Sequence, residues 1–166
     1  MLRNLQRGPV YGGCASPECE GDFISMASGI GAKIGNMQGA FRAQCLFENE
    51  ISNPNAANNC FFIAGDSVFQ VNKYGKRVLN EKRNYNDRGM VHFAWDQNKA
   101  EWTNQLLFLI ADKRCVEYWE GFPPYATAGI DLQYLIQGNP LKELAKNIKK
   151  RVDDLATELQ SRGYAA

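Results

Sequence analysis

Tyr85 stands in the densest polar stretch of this 166-residue chain, four residues after Glu81, with Arg77, Arg83 and Arg88 close by in sequence. A phenol can move a proton to or from a reacting carbon. Its reference pKa of about 10 makes it a weak base near neutral pH unless a second phenol, a cation or a hydrogen-bond donor favours the anion. Arg83 and Arg88 are the cations near enough in sequence to be considered for that task. Arg77, Asn80 and Glu81 belong to the hairpin and the polar extension that lead to Tyr85. Val68, Gln70 and Asn72 alternate with Phe69 and Val71, the period of a strand. Lys73-Tyr74-Gly75 turns the chain, with Gly75 supplying the positive φ of a three-residue loop. A second short strand over Arg77–Leu79 runs into the loop from Lys82 to Gly89. Such a loop can reach across a cleft or can be an ordinary solvated connection.

Other chemistry-bearing residues are sparse. His92 is the one histidine and has no evident partner for base work or metal binding, so a packed or exposed role fits it better than a catalytic one. The five cysteines, at 14, 19, 45, 60 and 115, are an odd, scattered set that reads as reduced thiols rather than a disulfide framework. Cys14-x4-Cys19 has loose metal-like spacing, but no second pair accompanies it, and no metal is expected.

The rest of the pattern is α+β: a small mixed or antiparallel sheet with flanking helices. Asp22 can cap a helix from about Phe23 to Lys33, with Gly35 suiting its exit. Asn49–Asn59 is turn-rich, and strands are expected at Cys60–Ala64 and Ser67–Asn72, separated by a Gly65-Asp66 turn. Asp87 can cap a helix over Gly89–Asn98 whose Met90, Phe93 and Ala94 form a core stripe. Leu106–Ala111 is a continuous apolar strand, and Asp112 turns the chain into Arg114–Trp119. Asn139-Pro140 starts an amphipathic helix carrying Leu141, Leu144, Ala145, Ile148, Val152, Leu155 and Leu159. The cluster Tyr118, Trp119, Phe122, Pro123, Pro124 and Tyr125 can line an apolar pocket or cover the core.

Three of these segments, in order, resemble one family. Asn72, Gly75, Arg77, Asn80, Glu81 and Tyr85 are similar to a motif of the flavoproteins that include fumarate reductases, succinate dehydrogenase flavoprotein subunits and 3-ketosteroid dehydrogenases. Gly21-Asp22 and the following segment to Asn36-Met37 resemble that family's Gly-Asp-Gly helix, and Leu106–Asp112 its buried strand ending in Asp. The resemblance covers roughly residues 12–150. It implies a cap-domain hairpin whose residue four past the Glu transfers a proton. Arg at that place is similar to the fumarate reductases and Tyr to the ketosteroid dehydrogenases, so Tyr85 places the chain nearer the latter. Gln38–Gln44 stands where the dicarboxylate reductases carry a substrate-binding His, a further departure from them.

The family's dinucleotide turn, GxGxxG between strand and helix, has no counterpart in these 166 residues. The resemblance therefore implies the capping domain alone: residues 1–48 as the edge of a flavin domain and a connecting helix, 49–138 as the α+β cap core, and 139–166 as amphipathic C-terminal helices. FAD belongs to the parent enzyme and is not expected in the isolated chain, where Gly21 and Asp22 would be only part of its site. The implied partners are the remainder of the FAD domain and a hydrophobic small molecule. A non-catalytic α+β binding module that keeps the cap fold is the alternative.

With 19 basic and 18 acidic residues, the net charge of +1 gives no field to attract nucleic acid or an anionic membrane. There is no apolar run of spanning length, and Met1–Pro9 lacks the apolar stretch of a signal peptide, so a cytoplasmic location is expected.

Overall fold

A computed structural model describes residues 8, 10–13, 15, 16, 18–54, 59–125 and 134–161. Cys14, residues 55–58 of the asparagine-rich loop, and most of Met1–Pro9 lie outside the described residues. The chain forms two compact units, Met1–Ala128 and Gly129–Ala166. The class is α+β with small antiparallel sheets, as the patterning implied.

In the first unit α1 is Asp22–Gly29 and α2 is Phe47–Ser52. Strand β1, Val68–Asn72, precedes α3, Tyr85–Gly89, which continues as a 3-10 turn over Met90–Phe93. The short strands β2, Trp95–Asp96, and β3, Glu101–Trp102, form a hairpin, and β4, Leu107–Ala111, leads into α4, Lys113–Tyr118. β1 pairs antiparallel with β4, from Val68 opposite Ala111 to Asn72 opposite Leu107.

The core lies on one side of this ribbon. Phe61, Ile63, Val68, Cys115 and Tyr125 are its buried members, with Leu46, Ala64, Leu109, Ala111, Val116 and Trp119 packed on them. Tyr125 donates its hydroxyl to the Ala64 carbonyl at 2.7 Å, so the ring is buried without orphaning its oxygen. Burial pushes its phenol well above the ordinary range, with the Cys115 thiol adding to the effect. Asp112 caps α4 by accepting the Cys115 amide at 2.7 Å.

Several elements differ from the sequence-based expectation. The first helix stops at Gly29, with Gly21 in its cap position at φ 97° and Asp22 already inside the first turn. No residue of α1 is buried, so its end is set by local chain preferences and Gly31 (φ 74°) turns the chain, not Gly35. Residues 61–64 alternate in burial as a strand would, yet pairing is confined to a single bridge between Cys45 and Cys60. The return strand of the hairpin is likewise one bridge, Val71 to Arg77; the nearby Gln70 amide goes to the Glu81 carboxylate instead of to a strand carbonyl.

The helix expected over Gly89–Asn98 starts earlier and ends sooner. Asn84, not Asp87, caps it, accepting the Asp87 amide at 2.9 Å. Its end is forced by the β2–β3 hairpin, where Trp95 stacks edge-on against Trp102 at 5.0 Å. Met90 and Ala94 are exposed, so the helical spacing of these apolar residues does not mark a core face.

The second unit contains α5, Leu141–Ser161, with Leu155 and Leu159 buried and Leu141 exposed. The Glu143 carboxylate accepts the Asn139 N–H at 3.0 Å at its entry. Lys149–Asp153 and Lys150–Asp154 pairs run along its solvated side.

Gly65 holds φ 88°, and a Cβ there would lie 2.3 Å from the Cys115 sulfur. Gly65→Ala is therefore expected to lower stability by about 2 kcal/mol or more, read as a fall in the urea midpoint at unchanged slope.

Candidate functional site

The site is built on a buried carboxylate. Glu81 is 2% exposed, and its Oε1 accepts the Gln70 amide of β1 at 2.8 Å. Arg77 closes on it with two bonds, Nε to Oε1 at 3.2 Å and Nη2 to Oε2 at 2.5 Å. Burial alone would push this carboxyl up, but the Arg77 guanidinium and the Gln70 N–H hold it below the usual carboxylate value. The backbone of the same residue receives a second cation: Arg88 Nη1 donates to the Glu81 carbonyl at 3.2 Å. Arg88 is 4% exposed, and its Nε has no hydrogen-bond partner among the described residues. Burial lowers its pKa against the opposing effect of Glu81.

Two asparagines shape the chain on either side. Asn72 Oδ1 accepts the amides of Tyr74 at 3.0 Å and Lys76 at 3.1 Å, and the Gly75 amide returns to the Asn72 carbonyl at 2.9 Å. The tight turn with Gly75 at φ 70° is the one read from the sequence. Asn80 Oδ1 accepts the Lys82 amide at 2.9 Å, and its carbonyl accepts the Arg83 amide at 3.1 Å. Asn80 thus folds the loop through side-chain and backbone bonds of its own.

Tyr85 opens α3 directly after the Asn84 cap. Its half-buried ring lies 5.0 Å from Phe41 and 5.7 Å from Phe62, centroid to centroid. Phe41 is 79% exposed and Phe62 57%, so an aromatic surface flanks the phenol instead of burying it. Phe41 is held there by its neighbour: the Arg42 amide donates to Asn86 Oδ1 at 3.0 Å. Gly89 permits the approach, since a Cβ there would sit 2.8 Å from the Arg42 Cβ. Phe62 is placed by Phe61, which is buried in the core and donates its amide to the Gln44 carbonyl at 3.2 Å.

The structure gathers Arg77, Asn80, Glu81 and Tyr85 into one turn and loop. Arg83 pairs with Asp87 at 3.4 Å, exposed on the same loop. Among the described residues neither Arg83 nor Arg88 hydrogen-bonds the Tyr85 hydroxyl. Gly21 and Asp22 lie at the start of α1, and among the described residues no hydrogen bond or ring contact joins them to the Tyr85 loop. Phe41 and Phe62 were missed because neither lies in the motif, and only the tertiary fold brings them to Tyr85.

His92 sits in the 3-10 turn with Nδ1 2.8 Å from the Asn104 carbonyl and Nε2 3.0 Å from Gln44 Nε2. The carbonyl requires a proton on Nδ1, which leaves Nε2 to accept from Gln44, the neutral tautomer. Burial lowers its pKa despite the two carbonyls that favour the cation. It is a packing and hydrogen-bonding residue. Of the aromatic cluster, Tyr125 and Trp119 cover the core, while Tyr118 and Phe122 remain exposed. Among the described residues no group of three or more His, Cys, Asp or Glu side chains is placed to hold a metal, and no helix is long and apolar enough to cross a membrane.

No family model matches the chain. A 4-oxocyclohexanecarboxylate 2-dehydrogenase from Sinomonas cyclohexanicum is 28% identical to it over 153 residues, 91% of this chain. The chain resembles part of an oxidoreductase. It spans only 26% of the length of that curated relative.

Replacing Glu81 by Gln is expected to cost about 1–3 kcal/mol near neutral pH, because it weakens a charge-assisted pair and the bond to Gln70. Glu81 has a depressed pKa in the folded state, so its contribution is present above the unfolded value and is lost as pH falls through the folded one. The stability gap between wild type and Glu81→Gln should therefore narrow in acid, as measured by urea unfolding at a series of pH values.

Proposed function

We propose that this chain is the substrate-side, capping part of a flavin-dependent oxidoreductase that dehydrogenates a carbon–carbon bond beside a carbonyl. The observation that carries the reading is the placement of Tyr85: a phenol in contact with two exposed phenylalanine rings, on a loop tied down by a buried carboxylate. The similarity to a dehydrogenase of an oxocyclohexane carboxylate supports a cyclic ketone as the substrate class, and its coverage of a quarter of that protein supports a part rather than a whole enzyme.

On this reading the flavin, held outside these residues, supplies the hydride acceptor. The chain's own residues act on the other side of the substrate. Phe41 and Phe62 would cover the ring faces and exclude water. Tyr85 would take the proton from the carbon next to the carbonyl, whose acidity the carbonyl provides. Arg77 and Glu81 act through position alone, since their charges are spent on each other.

The test uses the protein made from its complete reading frame, mixed anaerobically with 4-oxocyclohexanecarboxylate while flavin reduction is followed by absorbance. Tyr85→Phe is expected to slow the reduction step by about a hundredfold or more with the flavin still bound. An unchanged rate would remove Tyr85 from the mechanism. The 166-residue chain alone is expected not to bind FAD, and a stoichiometric yellow complex would contradict its reading as a cap.

A further inference from the structure

Cys45 and Cys60 face each other across the isolated antiparallel bridge, both half-buried. The flanking backbone bonds run from the Leu46 amide to the Asn59 carbonyl at 2.9 Å and from the Phe61 amide to the Gln44 carbonyl at 3.2 Å. That arrangement makes Cys45 and Cys60 a non-hydrogen-bonded pair, the kind whose opposed Cα atoms approach to about 4.5 Å. A disulfide spans Cα separations of about 4.4–6.8 Å. The sulfurs are 3.2 Å apart, within reach of each other without movement of the backbone.

We propose that Cys45 and Cys60 are a modification site: a dithiol that closes to a disulfide by exchange with a small-molecule disulfide. One cysteine thiolate attacks a sulfur of oxidised glutathione and expels one glutathione thiolate. The second cysteine thiolate then attacks the protein sulfur of the mixed disulfide and expels the other. Two protein thiols lose two protons and two electrons, and one glutathione disulfide becomes two thiols. The inference stands on the bridge geometry and is independent of the proposed redox activity.

The position of the pair gives the bond a consequence. The segment it would close contains α2, whose buried Glu50 accepts the Gly13 amide at 3.0 Å and the Asn59 side-chain amide at 2.8 Å. The two segments it would join carry the two rings in contact with Tyr85, Phe41 before Cys45 and Phe62 after Cys60. The oxidised clasp therefore fixes both walls of the aromatic face at once. Cys115 is buried against Tyr125, whereas Cys19 is exposed near α1 and faces no second sulfur among the described residues, so glutathione captured there stays as a mixed disulfide, told apart by its mass.

The 166-residue chain is incubated with oxidised glutathione in native buffer, quenched in acid, alkylated with a maleimide and examined by intact mass and peptide mapping. The expected product has two fewer alkylated thiols than the reduced chain and a cross-linked peptide joining Cys45 to Cys60. Cys45→Ser and Cys60→Ser should each trap glutathione on the remaining cysteine and give no cross-link. Native hydrogen exchange should slow several-fold at residues 41–46 and 59–62 on oxidation. Persistent glutathione adducts on both cysteines of the wild type, a cross-link to another cysteine, or no reaction at either would overturn the site. A Cys45–Cys60 cross-link that leaves exchange unchanged would overturn its action on the aromatic face.

Discussion

The Glu81 carboxylate is the constraint on which the rest of the first unit's site depends. A carboxylate this buried is costly unless its lone pairs are filled, and here the Gln70 amide and the Arg77 fork fill them. Those two partners lie on opposite sides of the turn at Gly75, so one side chain joins the strand to its return. The Glu81 carbonyl then takes Arg88, which reaches back from the far end of α3. Tyr85 stands between these two attachments. Its direction is set at both ends of the loop, and Asn84 fixes the first helical turn beneath it.

A second polar layer supports the first. Asn72 donates to Asn104 Oδ1 at 3.0 Å, Asn104 donates to the Val91 carbonyl at 3.3 Å, and the Asn104 backbone carbonyl holds His92, which meets Gln44. The chain of contacts runs from the hairpin turn to the segment that carries Phe41. Gln44, Gln70, Asn72, Glu81, Arg88 and Asn104 are all buried. An interior of this kind is specified by directional bonds more than by apolar volume, so a lost partner costs more than a lost methylene. The cost falls on placement as well as on stability.

Local features were the legible ones. Gly75 announced its turn, the apolar run at Leu106–Ala111 announced the strand found at Leu107–Ala111, and Asp112 announced its end. The spacing of Asn72, Arg77, Asn80, Glu81 and Tyr85 marked residues that the structure gathers in one turn and loop. What sequence did not disclose was non-local. β1 takes its ladder from β4, distant in sequence, and meets its return strand only at the Val71–Arg77 bridge, with Val68 and Leu109 packed in the core. Met90, Phe93 and Ala94 have helical spacing, but Met90 and Phe93 lie on a 3-10 turn and Ala94 is already extended, next to the Trp95–Trp102 contact. Phe41 and Phe62 carry no motif at all; an exposed aromatic is recognised only once its neighbours are known.

The central claim is that the Glu81 tie holds Tyr85 against Phe41 and Phe62, and ring-to-ring nuclear Overhauser effects in the 166-residue chain test it most directly. Wild type should show cross-peaks from the Tyr85 ring to both phenylalanine rings. In Glu81→Gln, with the β1–β4 amide pattern retained as evidence of folding, both cross-peaks should weaken or vanish. Cross-peaks of unchanged intensity in that folded variant, or none in the wild type, would contradict it.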